Sequence, residues 1–243
     1  MSVVAVIPAR MGSKRLPGKV LSDVDGVPLV AHVAARVLEA QTIERVIVAT
    51  DSQEIVNVLH GLDVDVFLSQ HDHATGTDRV AEAIHGTDAS IILNVQADNA
   101  YLDPEIVDSV VRCFEDPTVQ VATSVCSFPE GLDPETPSLV KAVVDSTGRA
   151  RYFSRAPVPH GGPWWLHIGV YGFRLHMLQQ FASWDRGQIE TTEELEQLRF
   201  IENDVAIHVT QVAYSGVSID TPADLARLSS PSTLPGLPRS QRF

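Results

Sequence analysis

Val3-Val4-Ala5-Val6-Ile7 runs straight into Pro8-Ala9-Arg10-Met11-Gly12-Ser13-Lys14-Arg15-Leu16-Pro17-Gly18-Lys19. An unbroken run of β-branched and small apolar residues predicts a strand buried on both faces. The loop after it carries four cations, Arg10, Lys14, Arg15 and Lys19, and no anion, in a chain of 243 residues with formal net charge −13. Charge gathered against the global sign favours a binding role over a merely solvated basic loop. Backbone N–H groups near Gly12 and Gly18 suit the approach of a polyphosphate. Arg10, Arg15 and Lys19 suit neutralisation of charge building on a leaving pyrophosphate. The loop has neither the Walker A spacing nor the glycine fingerprint of a dinucleotide fold, which disfavours an oxidoreductase.

Outward from this loop, apolar runs alternate with amphipathic ones. Residues 28–39 are predicted helical, with Leu29, Val33, Val37 and Leu38 on one side. Residues 45–50 form a strand ending at Asp51, and Ser52 caps a helix over 53–59. Strands at 64–68 and 91–95 flank a helix at 77–84, and Asp103 caps 104–114 with Pro104 in the first turn. This alternation predicts right-handed βαβ units and a parallel sheet. Ligands then bind beyond the carboxyl ends of the strands. In the second half, 119–126, 139–144, 151–153 and 166–173 read as strands with longer, Pro-rich joins. Helices follow at 174–181 and 190–202, then a strand at 206–211 and a short helix after Thr221-Pro222. The expected fold is α/β: a Rossmann-like, mostly parallel sheet with an inserted antiparallel part. A single domain is expected over 1–228, and the Ser/Pro-rich residues 229–243 are expected to form a flexible tail.

Composition narrows the function. With 44% hydrophobic and 20% charged residues, bulk disorder is excluded. The excess of 31 Asp+Glu over 18 Lys+Arg argues against a nucleic-acid binder held by phosphate contacts and against anionic membranes. Cys113 and Cys126 lie in apolar settings and are expected as reduced core residues. No apolar run approaches the roughly 18 residues of a membrane span. The first residues lack the charged-then-apolar order of a signal peptide, so a cytoplasmic protein is expected.

Residues 8–19 resemble the signature loop of sugar-activating nucleotidyltransferases, most closely that of the 3-deoxy-manno-octulosonate (Kdo) cytidylyltransferases. The resemblance continues at Ala49-Thr50-Asp51, at His73-Ala74-Thr75-Gly76-Thr77-Asp78-Arg79 and at Asn94-Val95-Gln96-Ala97-Asp98. It recurs at Tyr152-Phe153-Ser154-Arg155, His167-Ile168-Gly169-Val170-Tyr171-Gly172 and Leu195-Glu196-Gln197-Leu198-Arg199. The last block is Ile219-Asp220-Thr221-Pro222-Ala223-Asp224-Leu225, and the order holds over 2–228.

The resemblance implies a nucleotidyltransferase fold, a homodimer and a reaction. CTP and an acidic acceptor give a CMP-linked product and pyrophosphate, with in-line attack of an acceptor oxygen on the α-phosphorus. Catalysis of that kind is mostly positioning and charge stabilisation. Mg²⁺ is the implied cofactor, with Asp98 and Asp220 as its carboxylate ligands. Arg10, Arg15, Lys19 and Asp98 are the implied catalytic residues. Nucleotide contacts are implied for Pro8, Ala9, Arg10, Gly12, Ser13, Lys19, Thr50, Asp51, Thr75, Gly76, Thr77 and Gln96. Acceptor contacts are implied for Arg79, Gln96, Arg155, His167, Tyr171, Glu196 and Gln197. Backbone carbonyls of residues 73–77 are candidates for choosing cytosine over uracil. Plainer readings stand beside these. Asp98 suits a turn, Asp220 a helix cap, Arg155 a structural ion pair and His167 a satisfied core position. Glu190, Glu193 and Glu194 are expected on a solvated helix face.

Two departures bear on the acceptor. The Kdo enzymes read Gln-Gly-Asp-Glu-Pro where this chain has Gln96-Ala97-Asp98-Asn99-Ala100. Ala97 adds a methyl at a position of close approach. Asn99 removes a negative charge beside the expected metal, which makes Asn99 a further acceptor-binding candidate for a more anionic substrate. The second departure lies between Arg155 and His167, where a long polar segment is replaced by the short, Pro-, Gly- and Trp-containing 156–166, expected to close the pocket. From these, the expected acceptor is a small phosphonate such as phosphonoformate, in antibiotic biosynthesis. Kdo or an analogue is the alternative. A non-catalytic, nucleotide-binding regulator is the third reading, opposed by the retention of Arg10, Arg15, Lys19, Asp98 and Asp220.

Overall fold

The computed structural model describes residues 1–12, 16–71, 73, 75–213, 218, 219 and 224. In chain order the first half contains β1 (Val3–Ala9), β2 (Asp23–Val24), β3 (Val27–Pro28), α1 (Leu29–Leu38), β4 (Arg45–Thr50) and α2 (Gln53–Val58). There follow β5 (Asp65–Leu68), α3 (Gly76–Ala83), β6 (Ile91–Val95) and α4 (Pro104–Arg112). The second half contains β7 (Val121–Ser127), β8 (Lys141–Val144), β9 (Arg149–Ser154), β10 (Trp165–Arg174), α5 (Leu175–Ser183), α6 (Gln188–Glu193), α7 (Leu198–Glu202) and β11 (Ile207–Gln211).

Nine strands share one sheet in the order β5-β4-β1-β6-β10-β7-β11-β9-β8. β5, β4, β1 and β6 run parallel, and β7 runs parallel to β11. β10 enters between β6 and β7, antiparallel to both, and its first residues also pair with β8. β9 is antiparallel to β11 and β8. The α/β sheet with a parallel and an antiparallel part is thus present, and β10 stitches the two parts together.

Alternation along β1 explains why it is buried on both sides. Val3, Ala5 and Ile7 join a core with Leu29 and Val33 of α1 and Ile106 and Val110 of α4. Val4 and Val6 face the opposite layer, with Val80 of α3, Leu178 and Phe181 of α5 and Phe200 of α7. The caps follow the sequence: Ser52 Oγ accepts from Glu54 N at 3.2 Å and Asp103 Oδ1 from Glu105 N at 3.0 Å. Thr75 and Asp78 form a reciprocal capping box at the start of α3. Cys126 is buried and Cys113 half-buried, both as free thiols.

One helix expectation is corrected. Residues 190–202 do not form a continuous helix; α6 ends, Glu194 takes a left-handed conformation at φ 53°, and α7 starts afresh. The cause is a buried ion pair. Arg199 Nε and Nη2 each lie 2.7 Å from a carboxylate oxygen of Glu190. In an unbroken helix, residues nine apart rise about 13 Å from one another. The break folds them together. The solvated face expected for these acids is corrected with it. Glu190 is fully buried, and Glu193 accepts from Ser154 Oγ at 2.9 Å and Arg155 N at 3.1 Å, while Glu194 is exposed. The expected helix after Thr221-Pro222 and the tail 229–243 lie outside the described residues.

Candidate active site

The carboxyl ends of β1 and β6 lie side by side, and the loops after them meet. Gly18, at φ 69°, starts the short turn that presents Lys19. Lys19 Nζ lies 2.9 Å from Asp98 Oδ2, with 15% and 22% of the two side chains exposed. The same ammonium donates to Ile219 O at 3.3 Å, and Ile219 N donates to Asp98 O at 2.8 Å. Lys19 therefore joins two segments 79 and 200 residues further along the chain, through the Asp98 carboxylate and the Ile219 carbonyl. Arg10 and Gly12, in the loop after β1, are exposed. Ser13, Arg15 and Asp220 lie outside the described residues, although Ile219, next to Asp220, is buried against the junction.

Among the described residues, no group of three or more His, Cys, Asp or Glu side chains forms a metal cage. Mg²⁺ characteristically takes one or two carboxylates and completes its shell with phosphate oxygens and water. Asp98, a hard oxygen donor half-open beside a cation, fits an ion that comes with a nucleotide.

Beside the junction sits the first turn of α3. A Cβ at Gly76 would lie 3.5 Å from Pro8 Cγ and 3.7 Å from Gln96 Nε2, so this turn packs between the loops after β1 and β6. Thr50 is buried, and its Oγ1 accepts from Ser52 N at 3.2 Å. Arg79, implied at the acceptor, is buried instead. Its Nη2 lies 2.6 Å from Asp51 Oδ2 and its Nη1 donates to Ala9 O at 3.4 Å. A buried guanidinium needs acceptors close by, and it finds them at the ends of β4 and β1, which it ties to α3. Preceding α3, His73 Nε2 and Ser69 Oγ both contact Glu82 Oε2, at 2.7 and 2.6 Å, and hold the entry loop down.

On the other side of Asp98 a cavity of about 170 Å³ opens, with Gln96, Asp98, Asn99, Ser138, His167 and Gly169 in its walls. Gln96 Nε2 donates to Asn94 Oδ1 at 3.2 Å, Asn94 Nδ2 to Thr77 Oγ1 at 3.0 Å, and Thr77 Oγ1 to Glu196 Oε1 at 2.7 Å. Burial raises the Glu196 pKa against the opposing pull of the Thr77 hydrogen bonds. Burial lowers that of His167 to about 3, so its ring is neutral. His167 Nε2 lies 3.2 Å from Thr123 Oγ1, and its ring packs between Phe153 and Tyr171 at 5.1 and 5.2 Å. Tyr171 is buried, and desolvation with Glu196 nearby lifts its pKa well above the usual phenol range. Gln197 is buried at the start of α7. A Cβ at Gly169 would come within 3.2 Å of Gln96 Cγ, so glycine leaves Gln96 its place.

Two expectations fail here. Arg155 does not line the cavity; its guanidinium donates to Glu193 O, Pro137 O and Glu194 O at 2.9, 3.0 and 3.2 Å, fastening loops behind it. Of the short 156–166 connection only Leu166 lines the cavity, so the segment does not close the pocket as a lid either. Trp164 Nε1 folds back to Pro159 O at 3.0 Å, and its ring meets Phe128 edge-on at 6.2 Å. That places Trp164 against residues 127–134, around a different hollow. The argument from a shortened lid to a small acceptor is lost with it. Asn94 and Thr123 were missed. Asn94 carried a signal, as the one polar residue in the apolar Ile91–Val95; Thr123 carried none, because threonine is ordinary in a strand.

The chain resembles known proteins along most of its length. A family model described as cytidylyltransferase matches residues 4–207. The 3-deoxy-manno-octulosonate cytidylyltransferase of Alcanivorax borkumensis is 41% identical over 248 residues, covering 94% of this chain and 97% of that one. The enzyme of the same name from Trichlorobacter lovleyi is 36% identical over 242 residues, covering 93% and 96%. Among solved structures, a CMP:2-keto-3-deoxy-manno-octonic acid synthetase complexed with CTP superposes with a TM-score of 0.87 at 35% identity, covering 94% of this chain and 97% of that one.

Proposed function

The chain belongs to the cytidylyltransferase family, and from that premise we propose that it transfers CMP from CTP to 3-deoxy-manno-octulosonate, with release of pyrophosphate. The observation that carries the reading is the meeting of Lys19 and Asp98 at the ends of adjacent parallel strands, opening onto a cavity that holds Gln96 and His167. An acceptor oxygen in that cavity attacks the α-phosphorus of a nucleotide lying over the β1 loop. Lys19, with Arg10 and Arg15, offsets the charge that develops on the departing pyrophosphate. Asp98 and Asp220 would hold Mg²⁺, which when bound neutralises phosphate oxygens and orients them for displacement. Asp98 is kept in place for this by Lys19 and by the backbone bond from Ile219. The resemblance also implies a homodimer, which we propose as the assembly.

The relatives named for Kdo favour this acceptor over a small phosphonate. One observation keeps the phosphonate as a second reading: Asn99, uncharged, lines the cavity beside Asp98 and lowers its negative potential. Pyrophosphate release from CTP and Mg²⁺, with Kdo and phosphonoformate tested side by side, separates the two. Turnover with Kdo is expected; turnover with phosphonoformate alone overturns the proposal.

A further inference from the structure

Two polar side chains in the cavity wall are turned by hydrogen bonds made behind them. Glu196 accepts from Thr77 at both carboxylate oxygens, from Oγ1 at 2.7 Å and from the backbone N–H at 3.4 Å. The Thr77 backbone N–H and hydroxyl both donate to Glu196, and the direction of the whole chain follows from that end. Thr77 Oγ1 spends its proton on Glu196 and must accept from Asn94 Nδ2. Asn94 then faces Gln96 with its oxygen, Gln96 answers with Nε2, and Gln96 Oε1 keeps its lone pairs. The second case is His167. The single proton of the Thr123 hydroxyl goes to Val170 O at 2.8 Å. Toward His167 Nε2 the Thr123 oxygen can only accept, so Nε2 carries the ring proton and Nδ1 of the neutral ring keeps its lone pair. Nearby, Asn99 Oδ1 is buried and meets no donor among the described residues.

We propose that Asn94 and Thr123 are positioning residues that set Gln96 and His167 to offer the cavity hydrogen-bond acceptors, so that the site selects its second substrate by hydroxyl donors. This rests on the Kdo reading of the function. A polyhydroxylated acid brings O–H groups that such a wall can hold. A phosphonate dianion brings oxygens without protons, and would set lone pairs against lone pairs. Neither Asn94 nor Thr123 need touch the substrate.

Two measurements test this. The first is independent of turnover. In ¹⁵N-histidine-labelled protein at neutral pH, two-bond ¹H–¹⁵N spectra should show the His167 ring protonated at Nε2 and bare at Nδ1, and Thr123→Val should lose that preference. A wild-type ring protonated at Nδ1 overturns the assignment. The second is kinetic. Thr123→Val should raise KM for 3-deoxy-manno-octulosonate roughly tenfold, leave KM for CTP and kcat within about threefold, and Thr123→Ser should restore it. Asn94→Leu, checked by thermal melting for a folded chain, should raise the same KM. An unchanged acceptor KM, or an equal rise in both KM values, overturns the proposal. A wild-type enzyme that ignores Kdo fails the functional reading instead, and leaves the spectra to decide the ring.

Discussion

Arg199 and Glu190 meet in a buried, two-pronged ion pair, and the same guanidinium lies 4.1 Å over the Phe181 ring. The pair holds α6 against α7 and so fixes the turn that carries Glu196. It also reaches the start of α3, where Arg199 Nη1 lies 3.9 Å from Asp78 Oδ1.

Breaking that pair from one side leaves an uncompensated buried charge. Arg199→Leu is expected to cost about 3–5 kcal/mol, read as a fall in Tm. Burial pushes the Glu190 pKa up, but hydrogen bonds and charge from Arg199 outweigh it and hold the value below the usual 4.5. A depressed carboxyl stabilises the fold above its unfolded pKa. That contribution is lost as pH falls below about 4.5. Thermal melts from pH 6 down to about 3 should show a shallower acid loss in Glu190→Gln than in the wild type; parallel curves would refute the linkage.

Asp98→Ala should abolish turnover while leaving Tm close to that of the wild type, since this loop carboxylate lies outside both apolar cores. Wild-type rates of pyrophosphate release would sink its proposed metal role. Lys19→Ala should lower kcat by about 10²–10³, the range for removing one preorganised electrostatic contact.

His167 titrates near 3 in the folded chain against 6.5 in the open one. The folded state therefore binds fewer protons between these values. The stabilisation is full above about 6.5 and drains away as pH falls toward 3. His167→Gln should flatten the stability profile over that window. The pH–rate profile should carry no limb near 6.5 that His167→Gln removes.

Gly172 leaves space that no side chain can share. A Cβ there would stand 2.6 Å from Phe114 Cε2 and 3.0 Å from Leu93 Cδ2. Gly172→Ala should cost about 1–3 kcal/mol through overpacking. Denaturant unfolding with an unchanged midpoint would show that Phe114 rotates away at no cost.

The parallel half was legible because local signals suffice there. Strands at 45–50 and 91–95 coincide with Arg45–Thr50 and Ile91–Val95, bounded by Asp51 and by the turn at Gln96. Ser52 and Asp103 cap through their own side chains, as their sequences indicate. The loops after β1 and β6 were likewise readable, and Lys19 and Asp98 do meet. Long side chains were not readable. Arg79 and Arg155 sit in motifs, but where a guanidinium ends depends on carbonyls and carboxylates tens of residues away. The break at Glu194 was hidden for the same reason. The 190–202 stretch reads as helix locally, and the buried pairing of Arg199 with Glu190, nine residues back, requires it to turn.

Ile219 closes the loop of Asp98 from the far end of the polypeptide. During synthesis, β1, β4 and β6 can pair once about a hundred residues have left the ribosome, whereas this closure waits for more than two hundred. A nascent chain therefore holds the strands that flank β1 long before it holds the residue that closes the Asp98 loop. Fragments ending ahead of 219 lack both Ile219 bonds, to Lys19 and to the Asp98 carbonyl, and should release no pyrophosphate from CTP.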